Sequence, residues 1–263
     1  MSNWVFLRGL TRDSRHWGAF TDSFRQRVVD SPVTCVDLPG SGGFHQVESP
    51  TSISKMVRHC RQVLAARGIA PPYRLLALSL GAMVAVEWAR SAPQELRGCV
   101  LLSTSLRPFS PFHRRLRWQN YPAIARMLLQ RPNMHKRERA ILDLVSNRNE
   151  RKKDLLNEWI AYQEAAPISS RNALRQLFAA AAYISPQAAP PVPMLLLASK
   201  RDRLVHYSCT CRIACKWGLE YRLHEEAGHD LPMDDGLWVI DQINAWLSRS
   251  DGQAASRVAG GAG

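Results

Sequence analysis

The chain has 263 residues, 46% hydrophobic and 22% charged, with 35 Lys and Arg against 22 Asp and Glu. Such a composition supports a sizeable core and excludes collagen-like, fibrous and wholly disordered classes. No window reaches the roughly 18 consecutive apolar residues of a membrane span, and the start Met1-Ser2-Asn3-Trp4-Val5-Phe6-Leu7-Arg8 lacks the basic-then-apolar layout of a signal peptide, so a cytoplasmic protein with no membrane span is expected.

In chain order, apolar runs of strand length fall at residues 4–7, 33–36, 75–78, 99–102, 194–198 and, more weakly, 219–223. Continuous rather than alternating apolar runs belong to strands covered on both faces, as in a parallel sheet flanked by helices. Helical periodicity occupies 54–66, 82–90, 207–216 and 237–247, and the fold class is therefore α/β, with a mainly parallel sheet. From about 106 to 191 the alternation stops. Four helical patterns (118–130, 136–145, 154–165, 170–183) replace it, and the proline-rich stretch 186–193 reads as an extended return to the sheet. The expected organisation is a core of residues 1–105 and 192–248, an inserted helical cap of 106–191, and a disordered tail of 249–263.

Six cysteines (Cys35, Cys60, Cys99, Cys209, Cys211, Cys215) are expected as free thiols, since disulfide frameworks belong to small secreted chains. The group Cys209-x-Cys211-x3-Cys215, preceded by His206, lacks the C-x2-C spacing of structural zinc and reads as small helix residues. No metal and no cofactor are expected.

The sharpest chemical signal is Ala77-Leu78-Ser79-Leu80-Gly81, where a strand runs through one serine into a helix. A serine on so sharp a turn projects its hydroxyl above the sheet, and bulky neighbours two positions away would collide across the turn. The competing reading is a helix-capping serine. A serine nucleophile needs a base and the base an orienting acid. Asp202 follows the run 194–198 and His229 follows the last strand, both past carboxyl ends of strands, where open α/β sheets place their sites. The order Ser, Asp, His is the one this architecture uses. Asp230, Asp234 and Asp235 are alternative acids but suit the start of the final helix. The remaining histidines, His16, His45, His59, His113, His135, His206 and His224, read as surface or packing residues, and Trp17 and Trp118 as core residues ahead of pocket lining.

With these residues in place, the chain from Val5 to about Leu247 resembles the α/β-hydrolase superfamily. Four matches carry the resemblance: Val5-Phe6-Leu7-Arg8-Gly9-Leu10 at the oxyanion loop, the turn Asp37-Leu38-Pro39-Gly40-Ser41-Gly42, the elbow 77–81, and Asp202 with Gly228-His229. Arg8 stands where the family carries histidine, and Ala77 where it more often carries glycine. Within the superfamily the chain is similar to small bacterial carboxylesterases with helical caps, carrier-protein methyl-ester esterases among them. The resemblance implies a serine hydrolase of carboxylic esters or thioesters, with Ser79 as nucleophile, His229 as base, Asp202 as orienting acid, and the backbone N–H groups of Leu10 and Leu80 as oxyanion hole. Other readings are a catalytically silent protein binding a ligand or partner under the cap, and an acyltransferase or carbon–carbon hydrolase using the same three residues.

Residues 107–153 hold 13 Lys and Arg and the three acids Glu138, Asp143 and Glu150, which is ten of the formal net charge of +13. Runs such as His113-Arg114-Arg115-Leu116-Arg117 are expected to face outward, either as solvated surface or as an attraction for an acidic acyl-carrier protein, a phosphorylated or other anionic acyl carrier, or an anionic lipid surface. Nucleic acid is not expected, because no reading module accompanies the charge.

Overall fold

In a computed structural model, the described residues are 3–28, 32–129, 133–148, 150 and 152–259, with the side chains of 127–129 and 250–259 outside that description. Six strands form one sheet: β1 (Asn3–Leu7), β2 (Val33–Val36), β3 (Tyr73–Leu78), β4 (Leu96–Leu102), β5 (Met194–Ser199) and β6 (Glu220–His224). Their spatial order is β2-β1-β3-β4-β5-β6, and every neighbouring pair is parallel.

Strand periodicity sorts the apolar runs into two layers. Val5, Leu7, Leu75, Ala77, Cys99, Leu101 and Leu196 join one buried cluster, while Trp4, Phe6, Leu76, Leu78, Val100, Leu102 and Leu197 join the other. Helices α2 (Ile53–Ala66), α3 (Leu80–Ser91) and α9 (Ser208–Trp217) cover the first face. The second is covered by α1 (Phe20–Arg27) and α10 (Leu231–Ala259), which bends at Asp235. The sequence reading missed α1, whose eight residues bury little beyond Phe20 and Phe24. The backbone of α10 continues into the tail expected to be disordered, and 260–263 lie outside the described residues.

Between β4 and β5 the chain builds α4 (Phe112–Arg115), α5 (Tyr121–Leu129), α6 (Met134–Val145), α7 (Lys152–Ala165) and α8 (Ser170–Ala182). Leu142, Val145, Leu156 and Trp159 of α6 and α7 form a third buried cluster. Two amide side chains on α8 bind this segment to the core. Asn172 accepts from the N–H of Ser49 (2.9 Å) and donates to the carbonyl of Val47 (3.1 Å). Gln176 accepts from the N–H of Thr11 (2.9 Å) and donates to the carbonyl of Pro39 (3.1 Å).

All six cysteines are unpaired, and among the described residues no group of three or more His, Cys, Asp or Glu is arranged to hold a metal. No helix among them is long and apolar enough to cross a membrane.

Candidate active site

Ser79 closes β3 and opens α3 with φ 55° and ψ −110°, a left-handed conformation that a side chain adopts only where the surroundings force it. The force comes from close packing. A Cβ at Gly81 would lie 2.5 Å from the carbonyl oxygen of Leu7 and 2.8 Å from that of Arg8, so only glycine lets α3 begin this near the end of β1. The N–H of Ser79 is tied to the carbonyl of Leu102 on the next strand (2.9 Å). Because Leu80 is the first residue of α3, its N–H has no acceptor within the helix.

His229 and Asp202 meet. The Nδ1–H of His229 donates to Asp202 Oδ2 (2.7 Å), since a carboxylate only accepts. The other carboxylate oxygen accepts from the N–H groups of Leu204 (2.7 Å) and Val205 (2.9 Å), which fixes its plane. Both side chains are buried, and His229 Nε2 has no hydrogen-bond partner among the described residues. Ser103 Oγ holds the carbonyl of His229 (2.7 Å). The three alternative acids are engaged elsewhere: Asp230 pairs with Arg8, Asp235 with His224 (3.2 Å), and Asp234 with backbone and Ser146.

The loop bearing His229 is also stitched to the carboxyl end of α6. Val145 accepts from the N–H of Asp230 (2.9 Å), and Asp234 accepts from the N–H groups of Asn147 (2.9 Å) and Gly228 (2.6 Å) and from Ser146 Oγ (2.6 Å). Asn147 Nδ2 reaches the carbonyls of Arg201 (3.1 Å) and Glu226 (2.9 Å). At Gly228 a Cβ would stand 2.5 Å from the carbonyl oxygen of Val145.

Ser79, Leu80, Leu10 and His229 line one pocket of about 320 Å³ between the core and the inserted helices. Its wall is largely apolar, with Met83, Ile124, Leu144, Ile168 and Leu177 prominent, and it is interrupted by charged groups that sequence reading did not place there. Arg8, the departure from the family's histidine, donates through both Nη atoms to Asp230 and lies over the Trp17 ring at 4.7 Å. Arg12 contacts Glu138 (2.9 Å) and stacks on Trp159 at 4.3 Å. Glu138 is shared with Arg137 (3.2 Å), whose Nη2 donates to Gln163. Desolvation holds the Arg12 guanidinium below its ordinary pKa, against the opposing pull of Glu138. No spacing rule pairs Arg12 with Glu138, because only tertiary packing brings them together.

The expectation of an outward-facing basic run needs correction at α4. Arg115 is buried, with Nη2 on the carbonyl of Ala180 (2.7 Å), because the other side of that short helix faces solvent through Phe112 and His113. Arg117 is half-buried and donates to the carbonyl of Asp202 (2.8 Å). Arg107, Arg126, Lys136, Arg139, Arg148 and Lys153 are exposed, while Arg131 and Arg151 lie outside the described residues. Trp17 is a core residue and Trp118 is exposed; neither lines the pocket.

His16 is buried between Trp159 and Tyr162, with its Nδ1 3.2 Å from Asp13 Oδ1. Burial drives its pKa down to about 4, although Asp13 pulls the other way. Burial raises the Asp13 carboxyl, but the bonds from His16 and Arg15 outweigh it and leave Asp13 below the usual carboxylate range.

Known proteins resemble the chain in part of its sequence or in its fold. Over 103 residues the chain is 35% identical to the biotin biosynthesis bifunctional protein BioHC of Cellvibrio japonicus (strain Ueda107); the match covers 39% of this chain and 19% of that protein. A thermophilic esterase from Thermogutta terrifontis superposes with a TM-score of 0.72 at 19% identity, covering 95% of this chain and 90% of the other. The esterase RhEst1 from Rhodococcus sp. ECU1013 does so with a TM-score of 0.72 at 18% identity, covering 94% and 90%. At those identities the likeness is one of fold. The model of the Alpha/beta hydrolase family matches residues 4–242, from β1 into α10, and the chain belongs to that family.

Proposed function

We propose that this protein is a serine hydrolase of carboxylic esters or thioesters that works through an acyl-enzyme. One arrangement supports the reading: Ser79, held in a left-handed turn, shares a pocket with His229, whose Nδ1 is fixed by Asp202 and whose Nε2 has no partner among the described residues. His229 Nε2 takes the hydroxyl proton as Ser79 Oγ attacks the acyl carbon. The oxyanion so formed accepts hydrogen bonds from the N–H groups of Leu10 and Leu80. His229 then gives the proton to the leaving alkoxide or thiolate, a water enters with His229 again as base, and the acid departs with Ser79 restored. Asp202 keeps the imidazole in the one tautomer that can accept at Nε2 and stabilises the imidazolium.

A fluorophosphonate should label Ser79 covalently, and Ser79→Ala should abolish both labelling and hydrolysis of p-nitrophenyl esters of graded chain length while circular dichroism stays unchanged. Labelling that survives in Ser79→Ala, or a wild type that never labels, would favour a silent binding protein.

The exposed cations of the inserted helices support an acidic acyl-carrier protein as the bearer of the substrate, in keeping with the partial likeness to BioHC. Raising salt shortens the Debye length from about 10 Å at 0.1 M to about 3 Å at 1 M. The kcat/KM for a carrier-linked ester should therefore fall much more than that for a neutral p-nitrophenyl ester. Charge reversal at Arg126, Lys136 and Arg139 should reproduce the loss at low salt, and equal salt responses for the two substrates would refute the carrier.

A further inference from the structure

The wall of the Ser79 pocket carries four guanidinium groups, Arg8, Arg12, Arg115 and Arg137, against two carboxylates, Glu138 and Asp230. Arg8 has Asp230, and Arg12 and Arg137 share Glu138. Arg115 has no carboxylate among the described residues. It is 8% exposed, its Nη2 donates to the carbonyl of Ala180, and its Nε has no partner among the described residues. Desolvation lowers its pKa and the cation Arg107 adds to that, while Cys209, a thiol whose own pKa burial raises, supplies no counter-charge near neutrality. A guanidinium nevertheless remains charged near neutrality. A charge withdrawn from water without a counter-ion destabilises the fold that holds it, and buried charges are otherwise paired. Pairing with an acid among the described residues therefore does not account for the burial of Arg115.

We propose that Arg115 receives an anionic group carried by the ester substrate itself, so that the enzyme prefers charged esters, above all those bearing a carboxylate, over neutral esters of equal length. The chemistry suits a carboxylate, because Arg115 Nε–H is a charged donor without a partner among the described residues, and such a donor makes its strongest bond to an ionised acceptor. The surroundings suit the rest of such a substrate, since the wall between the charged groups is aliphatic and leaves a hydrocarbon spacer well solvated by apolar contacts. The proposal rests on the ester-hydrolase reading above and narrows its substrate class. The anion can sit on the acyl side, as in a half-ester of a dicarboxylic acid, or on the alcohol side, and the test separates the two.

The kcat/KM values of purified full-length protein are compared for monomethyl adipate, methyl hexanoate and the hexanoyl ester of glycolate. At least one charged ester should exceed methyl hexanoate by tenfold or more, and whichever does identifies the side that bears the anion. In Arg115→Met that ratio should fall to about one, while the melting temperature of the unliganded protein stays level or rises, because an unpaired buried charge has been removed. A structural arginine behaves oppositely: its loss lowers the melting temperature and slows all three esters alike. That result, or a wild-type ratio near one, overturns the proposal. Thermal shift of Ser79→Ala separates this inference from the catalytic reading. Stabilisation by monomethyl adipate or hexanoyl glycolate beyond that by methyl hexanoate, lost in Ser79→Ala/Arg115→Met, upholds the anion site even if the wild type hydrolyses nothing. Equal shifts in both proteins overturn it.

Discussion

Replacing Gly81 by alanine tests the proposed nucleophile turn with a single methyl group. The new Cβ would stand 2.5 Å from the carbonyl oxygen of Leu7 and 2.8 Å from that of Arg8, where Cβ atoms essentially never come within 3.0 Å, so one side must retreat by at least about half an ångström. Neither obstacle can swing aside, since both are backbone atoms of the strand end that leads into the loop of Leu10. If α3 yields, it carries Ser79 and Leu80 with it; if β1 yields, it carries Leu10. Either way the nucleophile and the two N–H groups assigned to the oxyanion separate. Overpacking of this kind costs about 1–3 kcal/mol, and a displacement of about 1 Å costs on the order of 10²-fold in rate. We therefore expect Gly81→Ala to lose 1–3 kcal/mol by urea unfolding on the scale of about that range, and to lose roughly ten- to hundredfold in kcat and in fluorophosphonate labelling rate alike. Unchanged kcat and labelling in a stably folded Gly81→Ala protein would show that the turn is not set against β1 as described.

Other outcomes follow from the same geometry. Asp202→Asn removes the acceptor that selects the His229 tautomer and should lower kcat by about 10⁴-fold, whereas Asp230→Asn should lower it far less; steady-state assays that reverse this ranking would reassign the acid. Arg8→Met strands Asp230 as a buried lone carboxylate and should lose about 3–5 kcal/mol in urea unfolding, most of it recovered in Arg8→Met/Asp230→Leu; no recovery would mean the pair is not the unit lost. Stability should also fall as pH drops from about 6.5 to about 4, because the unfolded His16 takes up a proton there that the folded one refuses. The contribution of His16 is fully present above 6.5 and on the order of 3 kcal/mol. His16→Gln should flatten that part of the pH profile measured by chemical denaturation, and a profile identical to the wild type would refute it.

Legibility in the sequence followed the range of the forces involved. The runs 75–78 and 194–198 announced strands because both sheet faces demand apolar side chains, and they lie within β3 and β5. The edge strand β6 has no such demand on its exposed residues, and it begins one residue later than its pattern suggested. The candidates Ser79 and His229 could be picked out because the features that mark them, a small residue two positions on or a glycine just before, are local. Arg115 was not, since its neighbours Arg114 and Arg117 share its chemistry and only the seating of α4 against the carbonyl of Ala180 separates a buried cation from its half-buried neighbours. Arg12 and Glu138 lie far apart in sequence, and no periodicity links a loop after β1 to a helix inserted after β4.

The stitching of residues 145–147 to the loops of Asp202 and His229 constrains how such a protein can be re-engineered. Helices inserted after a fourth strand invite exchange between relatives as a means of changing substrate range. Here α6 cannot be exchanged as an independent cassette, because its carboxyl end supplies the carbonyl that holds Asp230 and the amide that reaches Arg201 and Glu226. A graft that ends before Val145, or that carries 145–147 together with 226–234 as one block, preserves the junction. One that cuts between them leaves Asp234 without its Ser146 and Asn147 donors and frees the histidine loop.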